Sequence, residues 1–432
     1  MGKLQGPALY VYNDATFSQH DFSAISKIGQ DSKLERLGTT GRFGLGFNAV
    51  YQFTDVPSFV SGDHMVFFDP HLSFLPGANA RHPGLKIKFS STSVLNQFPD
   101  QFGPFTFFGC DMKNHFDGTL FRFPLRDAGV AGASEIKSTP CTAEDVQALF
   151  EKFIENNNAA QTLLFLKNVR KVSVHVTDGS VDPATGRSGT QCIYEASLGP
   201  DGSDPNAVQK LATIPDFVTG GRRKGEAPRL SKDEFYAKLV RTPSDQLPVS
   251  DALVTLSDAD HRTGDLSSER WLICSSLGGS EGCDANRMCS DPENKRLRLV
   301  PWAGCAAVLP SASNPSTALV AAGGPGSGRR GRAHCFLPLP QETGLPVQVN
   351  GYFELSSNRR DIWLGDDMAG EGAVRHEWNV ALLRDVVAPT YARLLLRVIA
   401  ECHADRDFVY SLWPQSLPPP PWEALARTFY SI

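Results

Sequence analysis

Apolar and polar positions alternate along this chain in short, well-punctuated segments. Ala8 to Tyr12 is an apolar run closed by the Asn13-Asp14 turn signal, and Ser18 stands as N-cap before a helix expected over Asp21 to Ile28. Residues 29–46 are Gly-rich and polar, and Phe47 to Phe53 reads as a helix beginning directly on the glycines. Alternation and aromatic content predict strands at His64 to Phe68, Leu85 to Phe89 and Thr119 to Pro124. The fold class expected is α/β, with residues 1–130 forming an α+β two-layer sandwich.

Thr142 to Asn157 carries the best helix signal: Thr142 as cap, Asp145 three residues on, and Val146, Leu149, Phe150, Phe153 and Ile154 along one face. It is expected to cross into a second, mixed α/β unit. Leu163 to Leu166 and Val172 to Val176 read as strands, and Asp178 to Gly189 and Gly199 to Pro205 as exposed hairpin tips. Ser311 to Arg332, with its glycines and Arg329, Arg330 and Arg332, reads as a flexible loop. Trp378 to Ile399 has helical periodicity interrupted at Pro389, and Pro418 to Pro421 is a short polyproline stretch. The division expected is 1–130, then 131–310, a Gly/Ser/Arg loop at 311–333, and 334–432 completing the second unit with a C-terminal helix.

Length supports this division, because 432 residues exceed what one hydrophobic core usually serves. The net charge of −5 gives no field that recruits a polyanion, so nucleic acid is not an expected partner. Nine cysteines form an odd set with no CxxC pair, and the cluster Cys274, Cys283 and Cys289 fits no common metal knuckle. No apolar run has membrane length and no signal-peptide core is visible, so a cytoplasmic protein with reduced thiols and no membrane partner is expected.

The most informative chemistry lies in Gly41-Arg42-Phe43-Gly44-Leu45-Gly46-Phe47-Asn48. Its glycines let backbone approach a ligand, and a helix starting at Phe47 would aim free N–H groups at an anion such as phosphate. A tight turn made for packing would look the same. The GxxGxG order does not match the dinucleotide fingerprint, and no Lys-Ser or Lys-Thr follows to make a Walker loop. No HExxH or GxSxG arrangement is present.

Six blocks, Gly6 to Asn13, Gly41 to Pro57, Ser61 to Pro70, Gly118 to Arg126, Phe336 to Gly351 and Trp378 to Pro389, together resemble the sacsin-type repeat module family across nearly the whole chain. That module is similar to the first two domains of the ninety-kilodalton heat-shock chaperone and to the GHKL superfamily of gyrase, histidine kinases and MutL. The resemblance implies a Bergerat-type nucleotide-binding domain followed by an α/β middle domain.

It also implies ATP as cofactor, with Mg2+ in the intact family domain, and roles for particular positions. Gly41, Gly44 and Gly46 match the second glycine box, which contains Arg42, Phe43 and Leu45 and leads into Phe47; Gln30 to Thr40 matches the lid over bound ATP. Thr119 matches the strand-borne Thr beneath the adenine, and Asn13 stands where the superfamily has its adenine-binding Asp, unless Asp14 replaces it. Arg359 or Arg360 matches the arginine that reaches the γ-phosphate, although a solvated turn paired with Asp361 or Asp366 is the plainer reading. Two departures stand out. Asn13-Asp14-Ala15-Thr16-Phe17 lacks the glycines of Asp-x-Gly-x-Gly, and the superfamily's first helix, with the catalytic Glu and magnesium-binding Asn, would lie before Leu4 and is expected to be missing, as in an N-terminally truncated module.

The function expected is a sacsin-like, chaperone-type module in protein quality control that binds ATP or ADP with weak or no hydrolysis. The alternative is a non-catalytic adaptor for chaperones of the seventy-kilodalton class and for ubiquitin and proteasome components. A DNA-associated ATPase of the MutL or MORC kind would want a basic groove that the charge does not advertise.

Overall fold

The computed structural model describes residues 5–25, 46–89, 94–155, 158–179, 189–221, 230–310, 331–365, 370–402 and 406–432. Gly41 to Leu45, the expected lid over 30–40 and most of the Gly/Ser/Arg stretch, 311–330, lie outside them. Among the described residues the strands form two sheets in a mixed α/β chain.

The first sheet has the order β1-β5-β2-β3-β4, all antiparallel, from β1 Ala8–Asn13, β2 Ser58–Gly62, β3 His64–Phe68, β4 Gly84–Lys88 and β5 Phe116–Pro124. Alternation sorts its residues onto two buried faces. Val60, Met65, Phe67, Phe116 and Leu120 pack with Phe102, Phe105 and Phe107 on one side. On the other, Phe59, Val66 and Phe68 meet Phe17, Phe22, Ile25, Phe47 and Phe121. Phe22 and Ile25 belong to α1, Gln19–Ile25, whose Ser18 amide and hydroxyl both reach the Asp21 carboxylate while the Asp21 amide returns to Ser18 Oγ.

The second sheet has the order β12-β11-β13-β10-β9-β8-β7-β6. It uses β6 Lys171–Val176, β7 Gln191–Pro200, β8 Val249–Asp260, β9 Asp265–Leu277, β10 Trp302–Val308, β11 Arg332–Cys335, β12 Leu337–Glu342 and β13 Gln348–Gly351. The pair β11–β13 is parallel and the other pairs are antiparallel. Strand β10 is buried at all seven positions, as a strand covered on both faces must be. One face packs on Ile154, Ala159, Ala160 and Leu163 to Phe165. The other carries Leu272, Cys274, Ala303 and Cys305 against Trp378, Leu383, Val387, Tyr391 and Trp422 of the C-terminal helices.

Helix α2, Ala143–Ile154, has the expected capping box between Thr142 and Asp145, and its Ile154 enters the core of the second sheet. Leu149, expected on the buried face, is exposed, because that face turns inward only at its C-terminal end. The helix expected over Phe47 to Phe53 is present as a 3-10 helix, Phe47–Gln52. Thr162–Leu164 is also a 3-10 turn, not a strand: all-round apolar residues fill a corner where no ladder partner is offered. Gly199 to Pro205 is not a hairpin tip. Strand β7 runs to Pro200, Asp201 and Asp204 are buried, and α3, Ala207–Thr219, follows. Arg332, read as part of a flexible loop, opens β11 opposite Glu342.

Pro389 does not end its helix. The sequence passes from α4, Gly370–Leu382, through a π-helical turn, Leu383–Val387, into α5, Ala388–Cys402. The wider turn sends the Ala388 amide back to the Leu383 carbonyl and makes room for the ring of Pro389, which has no amide to give. The Asp385 carbonyl is met there by Gly279, where a Cβ would sit 2.6 Å from its oxygen.

Candidate functional site

Asn13 closes β1 directly opposite Thr119 of β5, so both belong to the sheet face covered by α1. Thr119 is fully buried. Its hydroxyl donates to the Ala15 carbonyl at 2.6 Å and lies 2.9 Å from the Ser61 hydroxyl, which accepts the Phe17 amide at 2.9 Å. These bonds tie the 13–17 loop to the sheet, and the Phe17 ring anchors it against Phe22 and Phe59. Side chains therefore hold this loop in place. The glycine that matters is Gly118, where a Cβ would lie 2.9 Å from the Tyr12 ring and 3.1 Å from the Asn13 carbonyl.

Asn13 is exposed and its Oδ1 accepts the Ala15 amide at 3.1 Å, an Asx turn that fixes the orientation of the amide. A second lone pair on that oxygen can still accept a hydrogen bond. Asp14 is exposed beside it.

Of the glycine box, Gly46 and Phe47 lie within the described residues. Gly46 is right-handed, with φ −59° and ψ −43°, and caps the 3-10 helix. The Phe47 ring packs 5.4 Å from Phe68 and 6.2 Å from Phe121, so what Phe47 offers a ligand is its backbone amide. The far end of this helix is fixed by Arg126, fully buried, which donates to the Tyr51 and Gln52 carbonyls at 2.8 and 3.2 Å and pairs with Asp55 at 2.5 Å. Burial and the Asp69 carboxylate push the Tyr51 phenol up to about 12, which keeps it neutral.

Arg359 and Arg360 sit on the loop between β13 and α4, in a turn closed by the Ser356 amide on the Asp361 carbonyl. The Asn358 side chain accepts the Arg360 amide, and Arg359 is left-handed, with φ +58°. Behind the loop, the buried Asn379 of α4 accepts the Glu354 amide and donates to the Glu354 and Trp363 carbonyls. A chain of rings, Tyr12 on Phe108 at 4.9 Å and Phe108 on His175 at 5.5 Å, links the first sheet to β6.

Sequence reasoning missed Ser61, Asp55, Arg126 and Asn379. All four lie inside the blocks quoted above, but a polar side chain gives no sign in one sequence of whether it is buried and bonded.

Residues 1–186 match the family model described as "Sacsin domain". The chain is similar to sacsin of Homo sapiens, 33% identical over 406 residues, which is 91% of this chain and 8% of that protein. The chain thus spans a small part of the relative it matches.

Proposed function

Starting from the fact that the chain carries a sacsin-type module, we propose that its first sheet is a Bergerat-type nucleotide platform of a chaperone-like unit in cytoplasmic protein quality control. ATP or ADP is bound, and hydrolysis is weak or absent. The observation that carries this reading is the pairing of Asn13 with Thr119 across β1 and β5, next to a helix that begins where the glycine box ends. Asn13 Oδ1 keeps one lone pair for an adenine amino group, in an orientation set by Ala15. Backbone amides at Gly46 and Phe47, with Gly41, Arg42, Phe43, Gly44 and Leu45 before them, would hold phosphates. Magnesium would shield phosphate charge when bound. Arg359 or Arg360 would supply a cation for charge developing at the γ-phosphate.

The same loop favours a second reading, a non-catalytic adaptor for seventy-kilodalton chaperones and proteasome components. Asn13 lacks the charge of an Asp, and the loop that bears it is tied down by Thr119 and Ser61. Equilibrium binding of ATP and ADP to the chain separates the two. We expect Asn13→Ala, an exposed change, to weaken nucleotide binding roughly tenfold with little loss of stability. Nucleotide binding that is absent, or indifferent to Asn13, leaves the adaptor. Phosphate release with magnesium should stay near background; steady turnover abolished by the Arg359→Ala and Arg360→Ala double variant would show that hydrolysis is a working step.

A further inference from the structure

Toward the β6 end of the second sheet, strand β7 carries a bulge. Val174 pairs with Tyr194 and His175 with Cys192, so Ile193 is an extra residue on β7. In an unbroken strand Cys192 would share the buried parity of Tyr194, Ala196 and Leu198, and residues three apart would point to opposite faces. The inserted residue reverses that parity and turns Cys192 to the face that carries Glu195. The turn after β8 then brings in His261, whose amide donates to the Ile193 carbonyl at 3.0 Å. One ligand atom each from Cys192, Glu195 and His261 lies within 4.8 Å of the others.

We infer that Cys192, Glu195 and His261 form a binding site for zinc. A thiolate, an imidazole and a carboxylate converging on one point are a borderline-soft donor set, which suits Zn2+ and disfavours Mg2+ or Ca2+. Zinc contacts of about 2.0–2.3 Å place such donor atoms closer together than 4.8 Å, so small side-chain rotations close the site. The two anionic ligands balance the charge of the ion. Three protein ligands leave a fourth position to water or to a side chain presented by another molecule, and the half-buried and exposed positions of the trio leave that position accessible.

The neighbouring groups are compatible with this use. Lys171 pairs with Glu195 Oε2 at 2.8 Å, but both side chains are well exposed and such a pair contributes about 1 kcal/mol at most, so a metal displaces it readily. Arg262, next to His261, is held by two hydrogen bonds to Asp260. His175, across from Cys192, is bonded to the Ser173 and Thr190 hydroxyls at 2.9 and 3.4 Å.

Cobalt titration of the chain under a reductant that does not bind metals tests the assignment. One equivalent of Co2+ should produce thiolate-to-cobalt absorption, which zinc bleaches by displacement. Cys192→Ser should abolish that absorption, and His261→Ala should weaken binding roughly tenfold or more, since even residues supporting a metal ligand are worth that much. Far-ultraviolet circular dichroism and the unfolding midpoint of both metal-free variants should match the parent, which separates loss of the site from loss of the fold. Absorption that is absent, or persists unchanged in Cys192→Ser, overturns the proposal, the latter by assigning the metal to other thiols.

Discussion

At the scale of single residues, the buried polar groups decide most. Arg126 satisfies three acceptors with no exposure to solvent, and its partner Asp55 is 7% exposed. Removing one member of such a pair leaves an uncompensated buried charge, a loss of about 3–5 kcal/mol. Arg126→Ala should therefore lower the unfolding free energy by that amount and loosen the helix after the glycine box. Urea denaturation measures the first effect and hydrogen exchange at Phe53 and Thr54 the second. A loss under about 1 kcal/mol would mean that water replaces the guanidinium. The sequence marked Thr119 by its type and Asn13 by its place in a matched block, where it stands instead of an Asp. It could not mark Arg126, since an arginine in a single sequence reads as surface until burial is known.

At the scale of elements, the loop carrying Arg359 and Arg360 is positioned from behind. Asn379 supplies one acceptor and two donors to that loop, and Trp378 donates to the Tyr352 carbonyl at 3.0 Å, so α4 holds both ends of the segment after β13. Asn379→Ala removes one hydrogen bond each from the Glu354 amide, the Glu354 carbonyl and the Trp363 carbonyl, while the Glu354 carbonyl keeps the Trp363 amide. The cost is about 1–3 kcal/mol for each group left unsatisfied out of reach of water. We expect a clear drop in the unfolding midpoint, with proteolysis beginning near Ser356 to Asp361. A variant as stable and protease-resistant as the parent would show that the loop holds itself.

Local signals did well where an element is fixed by its own ends. The Thr142–Asp145 box and the Asn13-Asp14 break appear where composition puts them. They did worse where neighbours choose. Leu163 to Leu166 has no period to separate strand from helix, and Pro389 is read only as an interruption because nothing local announces the π-turn that makes room for it.

At the scale of the whole molecule, the core of the second sheet contains a neutral histidine. His334 on β11 is fully buried, and burial lowers its pKa to about 4, with Arg332 acting the same way and the hydrogen bond to Gln348 opposing them. In the unfolded chain a histidine titrates near 6.5. Between these values the unfolded state binds a proton that the folded state does not, so stability falls as pH drops through this window. From pH 7 to pH 5 the loss from this residue is about 2 kcal/mol. Replacement by Leu keeps Gln348 Oε1 paired, because it also accepts the Arg332 amide. Denaturation at both pH values should thus show His334→Leu losing about 2 kcal/mol less than the parent. Equal losses would place the acid sensitivity elsewhere.

The sequence by itself determined the kind of molecule: a mixed α/β chain, five of the thirteen described strands, the helices capped by Ser18 and Thr142, and a sacsin-type module. Those features are written in periodicity, caps and residue types, which act over a few neighbours or survive as matched blocks. Tertiary structure alone decided that Arg126 and Asn379 are buried anchors, that Pro389 passes through a widened turn, and that a bulge turns Cys192 toward Glu195 and His261. Each depends on a partner far away in the chain, and one sequence records both partners without recording that they meet.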